Sequence, residues 1–472
     1  MMMMMMMMMM MMMMMMMMTM MTMMMMMMMM TMMMMMTMMM MMTMMMMMTM
    51  MTMMMMMMMT MMMMMTMIII VIVMITPEFQ SKFFYILAEA RKAPETAPLV
   101  LWLTGGPGCS SVTAFFAENG PARINAQTLQ LERNADAWNN EANVVWVDQP
   151  FGTGFSPESP DVETNEEIIS LYLVDFLQGL LKQFPAYAKA PLYITGESYA
   201  GRYVPSLCAR ILNTVNKAGL NLRGCATGDP WSVPLTQYET YGAFATANGL
   251  IHGASKLAVD AATFACRELY NSAVANPSIE KWIEAEDACS AIMALIIETA
   301  PKIDGHHINV YDIKKPSIGK LGYNFTFMSD YVNMPATRAA LGVPAGYKWT
   351  DCSTTAGIPL LIDRMMSSGP DVQAILDAGL PYMVYSGKND LICNYVGAEA
   401  WTAEIGFAGQ DAFNAAHLAP WTIAGKEVGQ AKAAGGLTLV NIEDAGHLVP
   451  MDQPAVASVL LHNFIHGKPF TA

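Results

Sequence analysis

From Phe79 onward the chain alternates short apolar runs with glycine-rich loops and amphipathic stretches. Leu99-Val100-Leu101-Trp102-Leu103 runs into Thr104-Gly105-Gly106-Pro107-Gly108, and Val144-Val145-Trp146-Val147 runs into Asp148-Gln149-Pro150-Phe151-Gly152. A short run without polar alternation, closed by a turn, marks a strand buried on both faces. Tyr172 to Phe184 reads as a helix halted by Pro185, Leu192-Tyr193-Ile194-Thr195 as the next strand and Val204 to Leu212 as another helix. Buried strands alternating with helices predict an α/β protein with a mostly parallel central sheet.

Between about 231 and 345 the spacing changes. Ile279, Trp282, Ile283, Ile292, Met293, Ile296 and Ile297 recur at helical intervals, and residues 381–385 and 437–442 then resume the strand pattern. The expected organisation is a core in two parts, 68–230 and 346–472. A largely helical insertion, 231–345, caps the edge where the parallel strands end.

Residues 1–67 follow neither pattern: 58 are methionine and nine threonine. A helix of that length would reach about 100 Å, over three times a hydrocarbon core, and the tract has no charged flank, no aromatic belt and no small-residue cleavage site. It reads as a decayed ATG repeat, Met and Thr codons differing by one base: a low-complexity tract expected to be a gene-model artefact or disordered, and neither a membrane span nor a copper site is expected from it. The run Ile68 to Val73 is grouped with it.

Charge narrows the partners. The 39 acidic and 25 basic residues leave a net charge of −14, which gives no basic surface for nucleic acid. Seven cysteines contain no C-x-x-C pair, and the His306-His307 pair lacks further ligands at metal spacing, so no metal and no cofactor are expected. Asn324-Phe325-Thr326 is a glycosylation acceptor triplet.

The chemistry centres on Gly196-Glu197-Ser198-Tyr199-Ala200-Gly201, placed straight after a strand and before a helix. A serine on so sharp a turn needs small neighbours on either side, here Gly196 and Ala200. The turn also sets the Tyr199 N–H at a helix N-terminus, where oriented amides favour negative charge. A serine hydroxyl needs a histidine to take its proton and a carboxylate to hold that histidine. In the order Ser, acid, His, only His447 directly follows a predicted core strand, and Asp390 follows the strand at 381–385. Asp148 is read as structural, holding its turn.

Four ordered segments resemble the serine carboxypeptidase family: Leu103 to Ser111, Val147 to Ser156, Gly196 to Gly201 and Gly446 to Pro450. Tyr385 to Asn394 is most similar to the family's carboxypeptidase Y branch. The resemblance covers about 79–470 and implies an α/β-hydrolase fold, with Ser198 as nucleophile, Asp390 as orienting acid, His447 as general base, and Gly106 and Tyr199 N–H groups as the oxyanion hole. It implies that Glu118 and Glu197 share a proton and bind the substrate's free C-terminal carboxylate, with Trp102, Thr104, Gly105 and Cys393 beside them. It also implies disulfides Cys109–Cys352 and Cys266–Cys289, leaving Cys208 and Cys225 as buried free thiols.

The function implied is release of C-terminal amino acids from a peptide or protein, favoured at acidic pH, in a vacuolar, lysosomal or secreted setting. Thr104 departs from the family's peptidases, which carry Asn there, and is similar to its acyltransferase branch, the alternative reading. A catalytically silent binding protein is the minor one. The aromatic-rich first strand that the resemblance leads one to expect just before Phe83 is not visible at 68–78, and oligomeric state and side-chain preference are left open.

Overall fold

The apolar runs assemble into one ten-stranded sheet. In chain order its strands are β1 Ile68–Met74, β2 Lys82–Ala88, β3 Leu99–Leu103, β4 Asn143–Asp148, β5 Leu192–Glu197, β6 Leu222–Gly228, β7 Tyr382–Gly387, β8 Ala419–Ile423, β9 Lys426–Ala434 and β10 Leu437–Ile442. They lie in the order β1-β2-β4-β3-β5-β6-β7-β10-β9-β8. The six from β4 to β10 are parallel, and an antiparallel pair closes each edge. In this computed structural model the described residues are 1–65, 68–74, 82–159, 162–319 and 322–470, with only the backbone described at 57–65, 68–74 and 215–216.

Parallel strands need helical crossovers, so both faces of the sheet are covered. Alternate residues of β3 supply the two cores. Leu99, Leu101 and Leu103 meet Leu173 and Leu177 of α3 (Glu166–Gln183) and Val204 and Leu207 of α4 (Ala200–Asn213). Val100 and Trp102 join Phe115 of α2 (Ser111–Ala117) and Leu460 and Leu461 of the C-terminal helix Pro454–Ile465. The period of two along a strand is what lets one five-residue run feed both layers. Full burial of each such side chain contributes about 1.5–3 kcal/mol.

Between β6 and β7 lie three long helices, α5 Pro234–Ala247, α6 Gly253–Ala275 and α7 Ile279–Thr299, the last of them the one marked by the helical spacing, followed by a hairpin pairing Ile308–Asn309 with Asp312–Pro316. Residues 68–472 form one compact unit that includes this insertion.

Two expectations are corrected. Ile68–Met74, grouped above with the tract, is a strand, its seven residues in unbroken antiparallel register with β2. The missing first strand was sought as an aromatic segment, and here it is aliphatic and β-branched, which suits an edge strand as well. Cys208 and Cys225, expected as free thiols, are bonded to one another. Helix α4 packs across β6, so two wholly buried residues only 17 apart in sequence face each other. Cys109–Cys352 and Cys266–Cys289 are also paired, and Cys393 is the free thiol.

Among the described residues of the unit 1–67, Met2–Met65 form a single helix, α1, and the methionines up to Met56 are exposed. Threonine hydroxyls along it donate back to carbonyls three and four residues earlier. By length and composition its described part passes the test for a membrane-crossing helix, as a signal sequence near an N-terminus also does.

Thiol titration of the denatured, unreduced chain should therefore give one thiol, Cys393. Three would mean that Cys208 and Cys225 are not joined.

Candidate active site

Ser198 occupies the turn between β5 and α4 with a φ of +65°, a left-handed conformation that a non-glycine residue adopts only when held. Its N–H donates to Gly228 O at 2.9 Å, and its carbonyl accepts from Gly201 N–H at 2.8 Å and Trp231 N–H at 2.9 Å. A methyl group at Gly196 would lie 2.6 Å from Ala200 Cβ, so the small neighbours are demanded by the turn itself. This is the strained elbow that lifts a nucleophile clear of its sheet.

The Tyr199 N–H opens α4 with no intrachain acceptor among the described residues. The glycine-rich loop lies directly against it, since a side chain at Gly105 would strike that nitrogen. Gly106 follows at φ +115°, a value that excludes other residues. The Tyr199 N–H thus stands beside Ser198 with the glycine-rich loop packed against it. The elbow is pinned from beneath: Asp363 Oδ2 accepts from the Tyr199 hydroxyl at 2.7 Å and from Arg202 Nη2 at 2.9 Å, and all three side chains are buried.

His447 Nδ1 lies 2.7 Å from Asp390 Oδ2, with exposures of 3% and 0%. Asp390 also accepts from Ile392 N–H at 3.0 Å and Cys393 N–H at 3.2 Å. Tyr311 supports the histidine from the insertion hairpin, its carbonyl accepting from His447 N–H at 2.7 Å and its ring lying 5.0 Å from the imidazole. Lys315 bridges Asp312 and Asp452, and Asp452 accepts from Gly446 N–H at 2.8 Å, clamping the histidine loop. Neither Tyr311 nor Lys315 was singled out in the sequence; both lie in the insertion, where helical spacing carried no hint of them.

Glu118 and Glu197 are each 1% exposed and lie within hydrogen-bonding reach of each other, a contact that requires a proton between them because no N–H or hydroxyl reaches either oxygen of Glu118. Burial pushes Glu118 up to about 7. Burial, then Glu118 itself, holds Glu197 well above the usual carboxylate range. Thr104 is 8% exposed and accepts a hydrogen bond from Trp102 Nε1 at 2.9 Å, leaving its own O–H free to donate.

These groups surround a cavity of about 410 Å³ lined by Thr104, Gly105, Gly106, Glu118, Glu197, Ser198 and His447, with Tyr311, Tyr323, Phe325, Ile358, Leu361 and Leu448 as an apolar wall. The structure thus brings nine of the expected site residues to one cleft, seven lining it, with the Tyr199 N–H next to Ser198 and Asp390 holding His447 from below. Trp102 and Cys393 do not line it: Trp102 is wholly buried behind Thr104, and Cys393 backs Asp390. Burial, then the neighbouring Asp390, pushes the Cys393 thiol well up, so it stays protonated and is not a competing nucleophile. Asn324 is exposed and accepts from the Thr326 hydroxyl at 2.7 Å, next to the cleft residues Tyr323 and Phe325. Asp148 accepts from Ser110 Oγ at 2.6 Å and Phe155 N–H at 2.9 Å, tying the glycine-rich segment to the turn after β4.

A six-stranded parallel centre with a serine elbow and a histidine–carboxylate pair at its C-terminal edge defines an α/β-hydrolase. The family profile described as "Serine carboxypeptidase" matches residues 73–467. The chain belongs to the serine carboxypeptidase family, and its enzyme class is that of the serine-type carboxypeptidases. It is 36% identical over 393 residues to Serine carboxypeptidase-like 47 of Arabidopsis thaliana, covering 82% of this chain and 76% of that one. It is 35% identical over 423 residues to Carboxypeptidase Y of Schizosaccharomyces pombe, covering 82% and 40%. Among solved structures it is similar in fold to Kex1(delta)p, a prohormone-processing carboxypeptidase of Saccharomyces cerevisiae, with a TM-score of 0.75 at 24% identity over 85% of this chain and 91% of that one.

Removing Asp363 strands the buried Arg202 and frees the Tyr199 ring. Asp363→Ala should lower unfolding free energy by about 3–5 kcal/mol, measured by urea denaturation. An unchanged midpoint would show that the network does not hold the elbow.

Proposed function

We propose that the protein releases C-terminal amino acids from peptides through an acyl-enzyme on Ser198. His447 takes the serine proton and returns it to the leaving amine, Asp390 fixes the imidazole, and the N–H groups of Gly106 and Tyr199 receive the oxyanion. Each such donor contributes about 3–4 kcal/mol of transition-state stabilisation. No metal or cofactor enters this reading.

The observation that carries it is the Glu118–Glu197 pair facing the same cleft as Ser198. Two ionised carboxylates would repel a substrate carboxylate, whereas protonated ones donate to it. With the Thr104 hydroxyl they supply donors for a free chain terminus, the feature that separates an exopeptidase from a general esterase. The aromatic and aliphatic wall favours an apolar side chain next to the cleaved bond.

A second reading, acyl transfer from a sugar ester, is favoured by Thr104 alone, since a hydroxyl supplies one donor where an amide supplies two. The three disulfides support an oxidising, secretory-route setting, vacuolar, lysosomal or extracellular, in which Asn324 would be accessible to glycosylation.

With N-blocked dipeptides at pH 5, wild type should release the terminal amino acid, and Ser198→Ala should lose on the order of 10⁵-fold or more in kcat. Transfer from an acyl-glucose to an acceptor without release of an amino acid would establish the second reading instead.

The acid pair sets the pH dependence. Glu118 holds its proton below about 7 and loses it above. KM for a dipeptide should therefore climb with pH above neutrality, approaching about tenfold per unit where one proton is required, and Glu118→Gln, an amide donor at every pH, should flatten that climb. A wild-type KM flat from pH 4.5 to 8 would refute the role.

A further inference from the structure

Asp229 directly follows β6 and stands where three segments of the site meet. Its φ is +41°, a strained value for a residue other than glycine. The strain is imposed from both sides. Asp229 N–H donates to Tyr385 O at 2.7 Å, while the adjoining Gly228 carbonyl and Trp231 N–H both bond the backbone of Ser198. Its side chain is wholly buried; Oδ1 accepts from Gly387 N–H at 2.9 Å. Oδ2 receives no N–H or hydroxyl donor, and the carboxyl lies within hydrogen-bonding reach of Asp390.

Two buried carboxyl groups in contact cannot both be ionised. Asp390 accepts from two backbone N–H groups and faces His447, so it is the one stabilised as the anion. Asp229 has a single N–H donor, and the other groups that face it are Asp452, Glu197, Cys393 and Tyr385, none of them positive. Burial, then the neighbouring Asp390, holds its carboxyl well above the usual range.

We propose that Asp229 is a positioning residue whose neutral carboxyl donates a hydrogen bond to Asp390, extending the chain His447–Asp390 to Asp229 and Gly387. The inference rests on the reading of Ser198, His447 and Asp390 as the triad. The proton stays on Asp229 through turnover, and no bond to substrate is made there. Such a donor fixes the acid in plane and adds no second negative charge beside the histidine.

The test compares full-length wild type, Asp229→Asn and Asp229→Ala by the rate at which a fluorophosphonate labels Ser198 across pH, with dipeptide hydrolysis in parallel. Asparagine is neutral and can donate to Asp390 while accepting from Gly387. Its labelling rate should stay within about fivefold of wild type, and the acid limb of the profile should stay in place. Alanine should slow labelling about tenfold or more and lower kcat for dipeptides with KM unchanged.

An acid limb displaced downward by about one pH unit in Asp229→Asn would show that the wild-type carboxyl is ionised and overturn the proposal. So would wild-type rates and profile in Asp229→Ala. If the alanine variant does not fold, the asparagine profile decides alone, together with an infrared band of a protonated carboxyl that is expected in wild type and lost in Asp229→Asn; absence of that band in wild type would also overturn it. Ser198 labelling with the expected profiles but no cleavage of dipeptides would sink the peptidase reading and leave this one standing. Labelling that persists in Ser198→Ala would overturn both.

Discussion

Four carboxyl groups, Glu118, Glu197, Asp229 and Asp390, are gathered at the end of the sheet with exposures of 1% or less. Desolvation penalises every negative charge placed there, and this constraint organises the rest of the site. The groups are arranged in two touching pairs, and within each pair a proton must be kept. Asp390 is the acid with three polar partners directed at it, two backbone N–H groups and the imidazole, so the negative charge belongs beside the histidine. The other three are driven toward their neutral forms, which turns acids into hydrogen-bond donors. A cluster of this kind suits acidic surroundings: groups whose folded pKa is raised favour folding most at low pH, and that contribution is lost as pH rises through the folded values. Asp148, pushed up to about 6, and Glu163, pushed up to about 8, both chiefly by burial, belong to the same pattern outside the cleft.

What was legible in the sequence was what is local. The strands at 99–103 and 144–147 are continuous apolar runs because both their faces are covered, and a run of that kind is visible without knowing what covers it. The elbow at 196–201 is likewise a requirement of backbone sterics on adjacent residues. Asp229 was not found because its significance lies in meeting Asp390, 161 positions away, and Gly228-Asp229-Pro230 looks like any strand-ending turn. The Cys208–Cys225 bond escaped for the same reason: it depends on how α4 crosses β6, which spacing does not encode. β1 was missed because an aliphatic edge strand beside a methionine tract offers no contrast in hydropathy.

The insertion does more than line the cleft with Tyr311, Tyr323 and Phe325. Val310 O accepts from Leu391 and Ile392 N–H, Ile313 N–H donates to Asn389 O, and Tyr311 O accepts from His447 N–H. One short hairpin thereby fixes the acid loop and the histidine loop relative to each other, two segments 57 residues apart that must keep a hydrogen bond of 2.7 Å. On the other side the Cys109–Cys352 bond and the Ser110–Asp148 contact hold the glycine-rich segment against the elbow. Strands and crosslinks set the positions, and the loops are short spans between fixed points, which is how a site keeps its donors aligned before substrate arrives.

Thr104 shows what that alignment leaves to chemistry. Its oxygen accepts from the buried Trp102 indole, so its single proton is directed elsewhere and only one donor reaches the cleft. An amide in the same place would bring two N–H donors that are indifferent to pH. With threonine, recognition of a free carboxylate depends more heavily on the protons of Glu118 and Glu197, which are present or absent according to pH. On the peptidase reading the substitution therefore does not abolish carboxylate binding; it moves more of that binding onto groups that titrate, and makes the enzyme's grip on a chain terminus a more direct function of acidity.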